Sequence, residues 1–178
     1  MNSRNIIFTL ITLFSLSRAY GQERVKWYSI GEALELTAKD PRILVIDVYT
    51  DWCGWCKRMD ASTFSDPDVI AALNRDFYPV KLNAEGKEDI LIGDHTYKFV
   101  DNGSRGYHEL AAIVTKGRLS YPTISCVDEK GRVLNAYPGY KDADQFKIFL
   151  AYFSGDAYKT LSWEDYRDAN REVTIPDI

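Results

Sequence analysis

Residues 43–59 read ILVIDVYTDWCGWCKRM, and the rest of the chain can be interpreted around this stretch. The apolar run from Ile43 to Tyr49 is interrupted by one acid, Asp47, and a continuous run of this length is typical of a central strand that is covered on both faces. After a short polar connection, Cys53 and Cys56 begin a segment that can be helical. A buried strand that leads to a CxxC pair at a helix N-terminus is the arrangement that thiol–disulfide chemistry needs.

The composition is that of one ordinary globular domain. The chain has 178 residues, of which 46% are apolar and 13% aromatic, and this is sufficient for a packed core. The net charge is -4 and no run is rich in lysine or arginine, so the sequence provides no basic field for a nucleic acid or an anionic membrane. We therefore expect one domain, a monomer, and no nucleic-acid partner.

The first 21 residues predict a targeting segment rather than part of the fold. Arg4 supplies a positive charge, residues 6–16 are mostly apolar, and Ala19 and Gly21 are small residues at the positions that precede a cleavage site. We expect cleavage after Gly21 and a mature protein that does not span the membrane and lies in the periplasm or outside the cell. An uncleaved anchor is the alternative, but the apolar run is shorter than the roughly 20 residues that a spanning helix needs.

Two of the three cysteines of an exported protein can form a disulfide that only stabilises the fold. A bridge that closes a CxxC loop constrains the unfolded chain very little, so a catalytic pair fits Cys53 and Cys56 better than a structural one. The third cysteine, Cys126, lies in the alternating segment 123–127, and we expect it to be a small buried residue with an unreactive thiol. A regulatory or resolving role for Cys126 is the alternative.

No metal or nucleotide cofactor is predicted. Cys53 and Cys56 have the spacing of half a zinc site, which Cys126, His95 and His108 would have to complete. The sequence contains no second CxxC and no HxxxH-type pair, so zinc is disfavoured. It also lacks the Gly-x-Ser-x-Gly motif of hydrolases and any glycine-rich phosphate-binding loop.

Segments of helical and strand pattern alternate along the rest of the chain. Capping-box spacings predict helices that begin at Ser29 and Asp142, and Pro67 predicts the start of another helix. This order implies a mixed α/β sheet with helices on both faces. The remaining predicted elements are an edge strand at 25–28, a strand at 77–82, a hairpin or irregular insertion at about 84–102, a helix at 106–116, strands at 124–128 and 132–137, and a last helical turn or two from Ser162.

Three motifs resemble the thioredoxin superfamily. Residues 51–57, DWCGWCK, are similar to the thioredoxin active site, and residues 121–123, YPT, resemble the cis-proline loop of that family. Residues 63–69, TFSDPDV, resemble periplasmic thioredoxin-like proteins and the C-terminal thioredoxin-like domain of DsbD. In combination the motifs are specific for this family, because a strand, a CxxC pair and a later proline occur in the same order as in its members.

The resemblance covers roughly residues 26–153 and implies a thioredoxin-like α/β fold, in which helices flank a mixed central sheet. We expect residues 22–178 to form a single domain of this kind after the signal peptide. The chain departs from ordinary thioredoxin in an insertion at about 84–102, before the cis-proline loop, and in a short C-terminal helical extension at about 154–178.

The chemistry expected at the site follows from the positions of the two cysteines. A cysteine at a helix N-terminus has a lowered pKa, because the macrodipole and free backbone N–H groups favour the thiolate. Cys53 is therefore the expected attacking sulfur, and Cys56, one helical turn further on, is expected to resolve the mixed disulfide. Each cycle leaves the pair oxidised, so a reductase of this kind needs an electron donor in the membrane or the periplasm.

The resemblance also implies roles for residues outside the CxxC pair. Asp47 matches the buried acid of thioredoxin and is the expected proton shuttle for Cys56, while the alternative is a strand-end acid that reaches water or a lysine. Lys81 matches the lysine beside that acid, or else is solvated at a strand edge. Pro122, if cis, would lie against the sulfurs and leave the backbone of Tyr121 free for an extended substrate segment; a trans proline in a turn is the alternative.

Trp55 departs from the dipeptides that are commonest in the family, Gly-Pro, Gly-His and Pro-His. Without a histidine between the cysteines, the site loses a donor that would stabilise the Cys53 thiolate, and this favours a reductant or an isomerase over an oxidant. Lys57 is expected either to stabilise the thiolate electrostatically or to face solvent. Trp52 is expected either to bind apolar substrates or to pack against the fold. The predicted substrate-binding residues are Trp52, Gly54, Trp55 and Tyr121.

We expect an exported thiol–disulfide oxidoreductase that reduces or isomerises disulfides in envelope proteins through a mixed disulfide. The alternative belongs to another class: a secreted binding or adaptor protein of the same fold, whose insertion and extension recognise a partner and whose CxxC pair turns over little. Activity towards a disulfide substrate separates the two.

Overall fold

The structure, a computed structural model, describes residues 23–103 and 105–171. The predicted signal peptide and the end of the predicted extension lie outside this part of the chain. The helices are α1 (Ile30–Thr37), α2 (Gly54–Ala61), α3 (Pro67–Asp76), α4 (Glu109–Val114), α5 (Ala143–Ser154) and α6 (Trp163–Arg171), with 3-10 turns at Thr63–Ser65 and Ala157–Lys159. The strands are β1 (Ile43–Tyr49), β2 (Phe77–Asn83), β3 (Ile90–Ile92), β4 (His95–Tyr97), β5 (Phe99–Val100), β6 (Tyr107–His108), β7 (Thr123–Val127) and β8 (Val133–Pro138).

The central sheet is mixed and has the strand order β2-β1-β7-β8. The pairing of β1 with β2 is parallel, whereas β1 with β7 and β7 with β8 are antiparallel. The predicted edge strand at 25–28 is reduced to one isolated bridge between Tyr28 and Val80. Tyr28 donates to the carbonyl of Pro79 (2.9 Å), and because Pro79 has no N–H to return, the ladder does not extend along this edge.

Successive side chains of β1 point to opposite faces of the sheet, and helices cover each face. Leu44, Ile46 and Val48 are buried on the face that packs against α1 and α4. Val45 is buried on the other face, against α2, α3 and α5, and Asp47 lies on that same face because side chains alternate along a strand. The mixed α/β architecture predicted from the sequence is confirmed, and it places a buried acid beneath the helix that carries Cys56.

The insertion forms two small antiparallel pairs, β3 with β4 and β5 with β6. The first pair is the predicted hairpin. The second corrects the predicted helix at 106–116, which begins only at Glu109. Tyr107 and His108 pair with β5 instead, and His108 caps α4 by accepting a hydrogen bond on its Nδ1 from the N–H of Leu110 (3.2 Å).

The end of the described chain folds back on the domain. The Trp163 ring lies 5.3 Å from that of Phe149 and 5.5 Å from that of Tyr152, measured between centroids. The predicted last helical turns are present as α6, and its Trp163 packs against aromatic residues of α5. Among the described residues, no helix combines the length and the hydrophobicity that crossing a membrane requires.

Candidate active site

Cys53 and Cys56 are joined by a disulfide at the N-terminus of α2. Cys53 is the N-cap residue of the helix, and its Sγ accepts a hydrogen bond from the backbone N–H of Cys56 (3.1 Å). The backbone N–H of Cys53 is bonded in turn to the carbonyl of Thr50 (3.1 Å), which holds the connection from β1. The sulfur of Cys53 thus occupies the positive end of the helix macrodipole, where a thiolate is favoured.

Both sulfur-bearing residues are largely covered in this disulfide form, since Cys53 is 4% exposed and Cys56 is 2% exposed. Gly54 opens the helix between them and Lys57 follows, exposed to solvent. A substrate sulfur therefore has to approach along the residues that border Cys53.

Asp47 is buried under α2, with 1% of its side chain exposed. Its Oδ2 accepts a hydrogen bond from Lys81 Nζ (2.7 Å), and its Oδ1 has no partner within the described residues. Burial raises the pKa of Asp47, and the nearby charge of Lys81 opposes that rise only in part. The structure shows that Asp47 is buried and that it reaches a lysine, Lys81, rather than water. Its role as a proton shuttle stays a prediction.

Lys81 bridges two carboxylates inside an aromatic cage. Besides Asp47 it pairs with Asp60 of α2, whose side chain is 48% exposed. Three rings lie 5.0 to 5.2 Å from the ammonium, which fits cation–π contact. Burial lowers the pKa of Lys81, but the attraction of Asp47 and Asp60 outweighs it and the net shift is upward. The rings of the cage belong to Trp27, Tyr49 and Phe64.

Lys141 is a second buried lysine, and sequence reasoning missed it. It lies between β8 and α5, is 8% exposed, and its Nζ donates to the carbonyls of Tyr137 (3.1 Å) and Gly139 (3.2 Å). Burial lowers its pKa to about 8, although the negative forms of Cys126 and Asp47 act in the opposite direction. The sequence held no signal for this, because a lysine just before a helix N-cap is ordinarily solvated.

The Tyr121–Pro122 peptide is cis, as the resemblance implied. The carbonyl of Pro122 accepts a hydrogen bond from the N–H of Gly139 (2.8 Å), which ties the loop to the turn that carries Lys141. Within the described residues, the backbone N–H and C=O of Tyr121 take part in no hydrogen bond.

One aromatic surface beside Cys53 is formed by Trp52 and Tyr121, whose rings make an edge contact (6.0 Å between centroids). Trp52 is 54% exposed, and two residues of the region around the insertion hold it in place. Its Nε1 donates to Glu85 (2.9 Å), and the guanidinium of Arg105 lies 4.6 Å from its ring centroid. Glu85 and Arg105 were not predicted, because only the folded insertion brings them to the CxxC pair.

A second aromatic surface lies on the other side of the motif. Trp55 is 57% exposed, and its ring centroid is 5.3 Å from that of Tyr140. The guanidinium of Arg58 lies 5.5 Å from the Trp55 ring centroid and 5.8 Å from that of Tyr140. The exposed tryptophans therefore flank the buried disulfide, each with an aromatic and an arginine neighbour.

The remaining candidate ligands do not gather near the cysteine pair. Cys126 is fully buried in β7, and burial raises the pKa of its thiol well above the usual value. His108 is the cap of α4, and His95 is exposed in β4. Among the described residues, no three histidine, cysteine or acidic side chains are arranged to hold a metal ion.

Comparisons with known proteins agree with this arrangement. The sequence is 30% identical over 129 residues to the thiol:disulfide interchange protein DsbD of Pectobacterium atrosepticum, an alignment that covers 71% of this chain and 19% of that protein. The chain thus corresponds to about a fifth of the length of this relative. The resemblance to DsbD predicted from the motifs is confirmed.

Solved structures establish the fold. The protein superposes on DsbH oxidoreductase with a TM-score of 0.55 at 15% identity, covering 90% of this chain and 96% of that one. A thioredoxin-fold protein from Helicobacter pylori gives a TM-score of 0.56 at 16% identity, covering 75% and 82%. At these identities the superpositions show the fold alone. The family model of the thioredoxin-like domain matches residues 30–154, and the chain therefore belongs to the thioredoxin-like family.

Proposed function

We propose that the protein is an exported thiol–disulfide oxidoreductase that reduces or isomerises disulfides in envelope proteins. The observation that carries the proposal is the Cys53–Cys56 disulfide at the N-terminus of α2, with Cys53 as the cap. A pair in this position can be opened to a dithiol whose first sulfur is stabilised as the thiolate.

The reaction begins with the reduced pair. The Cys53 thiolate attacks one sulfur of a substrate disulfide, the substrate S–S bond breaks, and its other sulfur leaves as a thiolate. Cys56 then loses its proton to Asp47 and attacks the Cys53 sulfur, which releases the second substrate sulfur. The products are a substrate dithiol and the Cys53–Cys56 disulfide. A dithiol donor of the membrane or periplasm returns the two electrons.

Substrate binding is assigned to the surface around Cys53. Tyr121, whose ring contacts that of Trp52, has backbone groups that can pair with an extended segment of the substrate, which Pro122 would guide towards the sulfurs. Trp52 and Trp55 offer exposed apolar area on both sides of the disulfide, as an unfolded or misfolded substrate requires. Gly54 leaves the space between them free of a side chain.

The absence of a histidine between the cysteines supports reduction or isomerisation rather than oxidation. The expected reduction potential is near that of thioredoxin, about -270 mV, and not near the value of about -120 mV of a strong oxidant. Equilibration of the purified protein with glutathione or dithiothreitol buffers measures it.

Reduction of insulin by the purified protein in the presence of dithiothreitol tests the proposal. We expect turnover by the wild type and by Cys126→Ser, the matched control for loss of a buried thiol, and no turnover by Cys53→Ser. Cys56→Ser should accumulate mixed disulfides with envelope proteins, because the resolving sulfur is missing. Absence of both turnover and trapping would refute the enzyme and favour the adaptor protein.

The proposed location rests on residues 1–21. The protein is also proposed to be a monomer. Expression in a Gram-negative host with isolation from the periplasm, followed by mass measurement, should give a chain that begins at Gln22. Recovery of the full-length chain in the cytoplasm would contradict export. Light scattering of the purified protein measures its oligomeric state.

A further inference from the structure

A row of four paired residues crosses the central sheet through the buried acid. Asp47 is directly opposite Lys81 on one side and Ile124 on the other, and Ile124 is opposite Tyr137. Paired residues of neighbouring strands point to the same face, so this row lies under α2 and α5. Lys81 binds Asp47 at one end of the row, and Lys141 binds the Tyr137 carbonyl at the other.

Lys141 is built into the fold rather than resting on its surface. Its carbonyl accepts a hydrogen bond from the Thr63 Oγ1 (2.6 Å), just after α2, while its Nζ reaches the carbonyls of Tyr137 and Gly139. The N–H of Gly139 donates in turn to Pro122. One lysine therefore joins the end of the CxxC helix, the β8–α5 turn and the cis-proline loop.

The charge of Lys141 lacks a bonded counter-ion. Within the described residues, no carboxylate oxygen lies within 4.0 Å of its Nζ, whose hydrogen-bond partners are two neutral carbonyls. A buried ammonium without opposite charge is costly, so a buried anion nearby is expected to compensate it. Asp47 is the buried acid on the same face of the sheet, and its Oδ1 has no hydrogen-bond partner among those residues.

We propose that Lys141 is a positioning residue of the redox site, a second cation that stabilises the Asp47 carboxylate from the side opposite Lys81. The inference rests on the proposed role of Asp47 as the proton acceptor of Cys56. A carboxylate held between two lysines is a ready base, whereas the same group in an apolar pocket would already carry a proton.

The charges that face Asp47 act in opposite directions. Burial raises its pKa, Lys81 and Lys141 lower it, and Asp60 raises it. Asp60 also competes for Lys81, with which it forms its own ion pair. The effect is reciprocal, because Asp47 raises the pKa of Lys141. The titratable groups facing this pair from the packed elements are Tyr49 of β1, Lys81 of β2, Asp60 of α2, Cys126 of β7 and Tyr137 of β8.

Carboxyl ¹³C NMR titration of Asp47 tests the inference in the oxidised full-length chain, in which Cys53 and Cys56 do not titrate. The pKa of Asp47 should move upward in Lys141→Met and downward in Asp60→Asn. Lys116→Met is the matched control, because the Lys116 Nζ also donates to a backbone carbonyl, that of Leu134 (2.9 Å), but is exposed. An Asp47 pKa in Lys141→Met that equals the value in Lys116→Met would overturn the proposal.

The reciprocal titration keeps the proposal testable if Lys141→Met folds poorly. The side-chain ¹³Cε resonance of Lys141 should titrate near pH 8 in the wild type and at a lower pH in Asp47→Asn, since its anion has been removed. An unchanged Lys141 pKa in Asp47→Asn would contradict the coupling. Both titrations are independent of turnover, so a protein that shows the shifts but does not reduce insulin refutes the proposed enzyme and not the coupling between Lys141 and Asp47.

Discussion

At the scale of single residues, the site depends on charges that are buried together. Asp47 and Lys81 meet across 34 positions of sequence, and Asp60 reaches the same ammonium from α2. A lysine partner stabilises a buried carboxylate, but the removal of that charge from water still costs free energy. The position of Asp47 therefore serves the proposed proton transfer better than it serves stability, and this contrast can be measured.

Asp47→Asn is expected to weaken the pH dependence of the protein's stability. The folded pKa of Asp47 is raised above its unfolded value of about 3.8, so its contribution to stability is full below that value and is lost as pH rises through the folded pKa. Between pH 4 and pH 7 the wild type should therefore lose stability relative to Asp47→Asn, because only the wild type has a buried carboxyl that must ionise in this range. Urea unfolding at both pH values measures this.

Asp89→Asn serves as the control for Asp47→Asn, because the Asp89 side chain is 56% exposed and its ion pair with Lys98 is at 3.6 Å. It should change stability by less than about 0.5 kcal/mol at either pH. If the free energies of unfolding of Asp47→Asn and of the wild type change equally between pH 4 and pH 7, the raised pKa of Asp47 is contradicted.

Asp47→Asn should also slow resolution of the mixed disulfide more than its formation. The proposed proton partner of Asp47 is Cys56, whose attack is the second step, and a positioned base contributes roughly 10²-fold or more to such a step. Rapid-quench kinetics with a model disulfide separates the two rates. Equal slowing of both steps would argue against the shuttle.

At the scale of elements, local sequence decided where most helices begin, and the insertion decided what surrounds the CxxC pair. Ser29 and Asp142 cap α1 and α5 with their side chains, as the capping-box spacings predicted. The start of α3 was predicted from Pro67, and Asp66 caps it. The predicted start of α4 at residue 106 was wrong. The residues before Glu109 have a helical sequence pattern, but they pair with β5 as strand β6 instead. Residues that precede this helix thereby hold Trp52 in place.

Gly106→Ala tests how tightly the insertion is built. A Cβ at this position would lie 2.6 Å from the Val100 carbonyl oxygen and 2.0 Å from the Phe99 ring, so the β5–β6 pair would have to move. We expect a loss of about 1–3 kcal/mol in urea unfolding, and a higher KM because Arg105 is displaced from Trp52.

Gly31→Ala is the matched control for Gly106→Ala. Gly31 lies in α1, and a Cβ added to it would have no neighbouring atom within 4 Å, so alanine should stabilise the helix by roughly 0.5–1 kcal/mol. If Gly106→Ala proves as stable as Gly31→Ala, the insertion is looser than the geometry indicates.

At the scale of the whole molecule, the aromatic residues packed around α6 and the tryptophans beside the disulfide have different roles. Trp163 of α6 packs on Tyr137, Phe149 and Tyr152, and closes the core on the side of α5. Trp52 and Trp55 leave more than half of their surface exposed beside the disulfide. Aromatic area that is already packed contributes to stability, whereas exposed aromatic area is available to a partner.

A pair of variants separates these roles. Trp163→Ala should lower the free energy of unfolding by roughly 2 kcal/mol, because it removes a half-buried ring from the aromatic cluster. Trp55→Ala should change stability by less than about 1 kcal/mol but raise the KM for a disulfide substrate. Unfolding curves and insulin-reduction kinetics of both variants check the crossed pattern, and equal effects on stability would contradict it.

The sequence by itself determined the features that depend on local pattern. A seven-residue apolar strand, helix caps with fixed spacing and a CxxC pair at a helix start are encoded within a few neighbouring residues, and β1 has the predicted bounds. The alternation of β1 also places Asp47 on the face opposite Leu44, Ile46 and Val48. These features were sufficient to predict the fold class and to locate the Cys53–Cys56 pair, which the structure joins in a disulfide.

Only the tertiary structure decided which distant side chains share the site. Glu85 and Arg105 reach Trp52, Asp60 reaches Lys81, and Lys141 is buried on the face that holds Asp47. Long polar side chains have the same local pattern whether they are solvated or buried, and strand register together with helix packing selects between these outcomes. The CxxC pair was evident from sequence spacing, but its surrounding charges exist only once the sheet has formed.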